Sequence, residues 1–92
     1  MSRPRINAEE AAREAFRTEI KVRRAYCDMK QSELADEIGV VPSVMSNLLS
    51  NPDKINAGRL RKIIRALSID PVIILAFLGY TPKEIQGISK ST

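Results

Sequence analysis

Apolar residues recur along this chain at helical spacing, and the interruptions between the apolar stretches divide it into short helices. Residues 8–27 hold no Gly or Pro and are rich in Ala, Glu and Arg, all good helix formers. Asn7 and Glu10 have the spacing of a capping box, which predicts a helix start there after a flexible arm over 1–7. Phe16, Ile20 and Cys27 share one face as a core stripe, with Cys27 expected as a small buried hydrophobe. Ala15, Val22 and Tyr26 form a weaker second stripe, suited to a C-terminal helix or a partner.

A second helix is predicted over 31–38, with Leu34, Ala35 and Ile38 inward and Gly39 closing it. Pro42 suits the first turn of a third helix over 42–50, where Met45, Leu48 and Leu49 share one side. Asn51-Pro52-Asp53 breaks the chain. Asn56 then caps a helix whose Leu60, Ile63, Ile64 and Leu67 form an apolar stripe, with Arg59, Arg61, Lys62 and Arg65 outside it. Asp70 caps a helix over 71–78 that Gly79 ends, and residues 81–92 read as a short C-terminal tail with at most a brief helical start at Thr81-Pro82-Lys83-Glu84. No stretch reads as a strand. The whole is one all-α domain of five helices with an extended first helix.

Composition narrows the class. The longest apolar run, 71–78, is far shorter than the ~20 residues of a membrane span, and no signal peptide is visible. The single cysteine excludes an internal disulfide and suits a reducing cytoplasm. There is no His, thiol–base pair, Gly-rich phosphate loop or metal-ligand spacing, so neither an enzyme nor a cofactor, metal or small-molecule site is expected. The net charge of +4 invites a polyanion. Its distribution says more: residues 31–53 carry four acidic and no basic side chains, whereas 54–65 carry five basic and no acidic ones. Positive charge flanks the centre and does not fill it.

Two short helices separated by Gly39-Val40-Val41, each with one apolar side, have the form of a helix-turn-helix over 31–50. Ala35 is small where two such helices cross, and Gly39 opens the turn. Through Gln31-Ser-Glu-Leu-Ala-Asp-Glu-Ile-Gly39 and Val40-Val-Pro-Ser-Val-Met-Ser-Asn-Leu48 the chain resembles the phage-repressor and Cro-type (XRE-like) family. The resemblance continues more loosely through Arg59–Leu67 and Ile69-Asp70. It implies a compact five-helix repressor-like domain that binds double-stranded DNA with helix 42–50 in the major groove, as a transcriptional regulator of the repressor kind.

The residues themselves mark the same surface. Ser43, Ser46, Asn47 and Ser50 lie opposite Met45 and Leu48, and small polar side chains let a helix approach base edges. Asn47 can bond adenine N6 and N7 together, Ser43 and Ser46 can donate or accept, and Val44 at the flank can touch a thymine methyl. The family resemblance assigns phosphate contacts to Gln31 at the start of the second helix and to Asn51, Lys54, Asn56 and Arg59 beyond the third. Lys30 stands where a Ser or Thr cap is usual, and Pro42 where relatives often carry a polar reader. With no Arg or Lys in 31–53, guanine readout by a recognition-helix arginine is excluded. Glu33, Asp36 and Glu37 have to face away from DNA.

Helix 71–78 is apolar nearly all round, an excess that a second subunit or the long first helix must cover. A homodimer through this helix, bound to an inverted repeat, is the favoured arrangement. The alternative is a protein-interaction module, such as an antitoxin or phage accessory protein, in which DNA contact is secondary.

Overall fold

The computed structural model describes residues 8–90 and consists of six α-helices. These are α1 (Ala8–Tyr26), α2 (Gln31–Ile38), α3 (Pro42–Ser50), α4 (Ala57–Leu67), α5 (Pro71–Phe77) and α6 (Pro82–Lys90). A 3-10 turn, Pro52–Lys54, joins α3 to α4, and no strand occurs among the described residues. No helix among them is long and apolar enough to cross a membrane. The all-helical expectation is met, with one helix more than expected. The Asn7 cap and the arm over 1–7 lie outside the described residues.

The extra helix, α6, takes up most of the segment expected as a tail. Its start is stabilised locally by a reciprocal cap. The Thr81 N–H donates to Glu84 Oε1 at 2.9 Å, and the Glu84 N–H donates to Thr81 Oγ1 at 3.2 Å. Ile85 then buries its side chain, only 7% exposed. The backbone N–H of Thr81, and after it the threonine side chain, hold the Glu84 carboxyl below the ordinary glutamate range. A carboxyl whose pKa is depressed by folding stabilises the fold above its unfolded pKa, and that stabilisation is lost as pH falls through the lower, folded value. Acidification through and below the usual glutamate range is therefore expected to fray α6 first. Amide exchange at 83–85 should rise there in the native chain, with no such rise in Glu84→Gln.

Helix ends follow local chemistry. Gly39, at φ 77°, occupies the left-handed region, and its N–H bonds Asp36 O while the Val40 N–H bonds Ala35 O. Asp28 and Ser68 take the same left-handed conformation at φ 53° and 54° without being glycine. Asp28 follows the end of α1, and this overturns one expectation. Cys27, placed in the core stripe by helical extrapolation, is exposed because the helix stops at Tyr26 and the turn swings the thiol out. Val22 and Tyr26 of the second stripe are likewise exposed. Asp70, which opens α5, meets Glu19, so α1 overhangs α5 beyond that point, and the Arg23 guanidinium covers the Tyr26 ring at 4.9 Å.

The core is built on α1. Phe16, Ile20, Leu34, Ala35, Ile38, Met45, Leu48, Ile63, Leu67, Ile69 and Ile74 form one buried cluster. Helices α1 and α5 run antiparallel: Phe16 stacks on Phe77 with ring centroids 4.4 Å apart, while the Asp70 N–H donates to Glu19. The Arg23 Nε–H donates to Leu67 O at 2.9 Å, satisfying a carbonyl that the end of α4 would leave orphaned. Of the apolar excess on α5, the first helix covers the side bearing Ile74 and Phe77, whereas Val72 and Leu78 stay about half exposed.

Candidate nucleic-acid interface

The chain presents α3 outward by burying one side of it completely. Met45 is fully buried and Leu48 is 6% exposed, and both belong to the central cluster. The apolar side fixes the rotation of the helix, so Ser43, Ser46, Asn47 and Ser50 are all exposed. Val44 is half-buried and packs against the core, which leaves only part of its side chain for a thymine methyl. Pro42 at the first turn and the exposed Val41 before it form the entry to the helix.

The start of α2 lies beside α3. Gln31, half-buried, donates from Nε2 to Ser46 Oγ at 3.1 Å, a contact between residues remote in sequence. Because the serine oxygen accepts this bond, its own hydrogen is left to donate outward. Ser46 therefore offers a donor on the outward side of α3. Lys30 supplies no side-chain cap to α2, and Glu33 stabilises the helix start by another route, accepting the Lys30 N–H at 2.8 Å. Glu33, Asp36 and Glu37 are all exposed.

Beyond α3 the chain is pinned from two sides. Pro52 is fully buried, and Asp53 is bonded by Arg13 of α1 at 3.0 Å. Arg13 also holds Glu10 at 3.1 Å, and the hydrogen bond to Glu10, then the charge of Asp53, raise its pKa above the ordinary arginine value. Asn51 and Lys54 are exposed on this fixed loop. Asn56 is exposed but its Oδ1 caps α4, accepting the Arg59 N–H at 2.8 Å, so only its amide N–H group is left to donate to a phosphate. Arg59 is half-buried, whereas Arg61, Lys62 and Arg65 of the same helix are exposed on the side away from the core.

Tertiary structure adds residues from α1 that the sequence did not single out. Arg17 shares an open cleft with Gln31, Ser46, Leu49 and Ser50, along the edge of α3. Lys21 and Arg24, on the following turns, line a second cleft with Gln31 and Leu49, although Arg24 is partly committed by a bond from Nε to Met29 O at 3.2 Å. Their spacing at i, i+4 and i+7 was visible as a basic row. That this row lies against α3 and not against solvent alone was not visible.

An all-helical protein with one short helix held out by its polar side is the class that the fold and this surface define. Compared with protein-family models, with curated proteins and with solved structures, the chain finds no match.

Proposed function

We propose that this protein is a sequence-specific double-stranded-DNA-binding regulator of the repressor type, in which α1–α5 form the repressor-like unit, α2 and α3 its helix-turn-helix, and α6 an addition. The observation that carries the reading is the orientation of α3: two apolar anchors buried, and Ser43, Ser46, Asn47 and Ser50 turned to solvent. A helix with short polar side chains fits the major groove closely, and its readers fit adenine and thymine edges better than guanine. Gln31 on one flank and Asn51, Lys54, the Asn56 amide and Arg59 on the other are the phosphate contacts that set register.

The test is selection of bound sequences from a random duplex pool, followed by titration of the winner across salt. Enrichment of an A·T-containing inverted repeat, with affinity falling steeply as salt rises, is expected. A pool that stays random, with no duplex bound at moderate salt, would return the chain to the protein-interaction reading.

A second copy completes an operator-sized footprint. The half-exposed Val72 and Leu78 of α5, and Tyr80 after it, offer the apolar surface. Leu78 and Tyr80 border a groove of about 510 Å³ that runs between the first half of α1 and the α5–α6 junction. Sedimentation at high protein concentration should show a species of twice the 10.3 kDa chain, and Leu78→Asp should return it to a single chain. A monomer throughout would remove the α5 pairing.

A further inference from the structure

Arg17 reaches the edge of α3 already carrying partners. Its guanidinium bonds Glu14 through both Nε, at 2.8 Å, and Nη2, and Nη2 lies 3.6 Å from Glu10 Oε2. Glu10 in turn bonds Arg13, and Arg13 bonds Asp53 behind α3. The result is an alternating row of charges, Asp53–Arg13–Glu10–Arg17–Glu14, that contains three carboxylates and two guanidiniums. The row carries one net negative charge beside the surface assigned to DNA. Arg17 is the member that lines the α3 cleft with Ser46 and Ser50.

We infer that Arg17 is a phosphate contact of the DNA-bound state that Glu14 holds back in the free protein. The inference rests on the DNA-binding reading above and adds α1 to the bound surface. Its physical basis is competition. An arginine fork satisfied by a carboxylate must exchange that partner for a phosphate oxygen of similar geometry and charge. The Glu14 side chain is 63% exposed, so its pairing with Arg17 is solvent-screened and displaceable. Once displaced, the Glu14 carboxylate remains near the phosphates and opposes the complex by like-charge repulsion. Glu14 therefore sets a ceiling on affinity, most of all at low salt where charges are least screened. Glu10 is less separable, since it also holds Arg13.

The experiment is a double-mutant cycle on duplex binding with the full chain: Glu14→Gln, Arg17→Gln and both together, each titrated with the selected duplex at several salt concentrations. Glutamine keeps the helix propensity of both positions. Glu14→Gln is expected to tighten binding by about threefold to tenfold at low salt. Arg17→Gln is expected to weaken it and to lower the slope of log affinity against log salt by about 0.9, one phosphate contact. In the Arg17→Gln background the gain from Glu14→Gln should shrink to the smaller part that like-charge repulsion alone supplies. Persistence of the full gain without Arg17 would overturn the inference, because the effect would then be general charge and not release of this arginine. An unchanged salt slope in Arg17→Gln would overturn it too. Absence of duplex binding by the unsubstituted chain would remove the DNA reading itself, a result distinguishable from either.

Discussion

Replacing Asn47 and Ser43 together by alanine is expected to erase preference for the selected duplex over a scrambled one while leaving helix content and thermal midpoint unchanged. Both side chains are exposed and neither takes part in the core or in a cap, so their removal leaves no cavity and no orphaned helix end. Asn47 alone can offer a donor and an acceptor to one adenine, an interaction that discriminates by about 1–3 kcal/mol, or roughly fivefold to 150-fold. Ser43, one helical turn earlier, adds a neighbouring contact. Non-specific affinity should persist, because it comes from the phosphate-facing cations and not from base edges. Competition titration against the scrambled duplex, with circular dichroism of the same samples, checks both halves. Preference retained in the double variant would remove α3 as the reader.

Phe16→Ala is the substitution expected to damage the fold most. Phe16 is fully buried and lies face to face with Phe77, an interplanar angle of 14°. It joins the long first helix to α5 at the centre of the cluster. Truncating a buried phenylalanine costs about 3–5 kcal/mol through lost transfer energy and the cavity left behind. A domain of this size has roughly 5–14 kcal/mol in total. The variant should therefore melt at least ~12 °C lower and unfold at a much lower denaturant concentration. Denaturant titration of Phe16→Ala beside Asn47→Ala separates the two kinds of residue, with the second close to the unsubstituted protein. A loss under about 1 kcal/mol for Phe16→Ala would mean that α1 is not the spine of the core.

Much of the fold could be read before any coordinates. The apolar positions Leu34, Ala35, Ile38, Met45, Leu48, Ile63 and Leu67 were all placed inward by period alone, and all are buried. Gly39, Pro42, Asn56 and Asp70 marked helix ends because each acts through its own backbone or its nearest neighbours. Where periodicity was carried too far it failed. Cys27 continues the stripe of Phe16 and Ile20 in projection, but the chain leaves the helix at Tyr26, and a stripe predicts burial only while the helix lasts. Helix α6 outruns its sequence signal for the opposite reason: a reciprocal cap and the buried Ile85 anchor nine residues beside an existing core.

The sequence on its own determined the helices, most of their ends, and which side of α3 faces out, since all three depend on interactions within a few residues. Only the tertiary structure decided what stands beside α3. The bond from Gln31 to Ser46, the clamp from Arg13 to Asp53 and the approach of Arg17 to the α3 edge join residues 15 to 40 or so positions apart. Such pairings are set by how helices dock, a collective outcome of packing that local spacing does not encode.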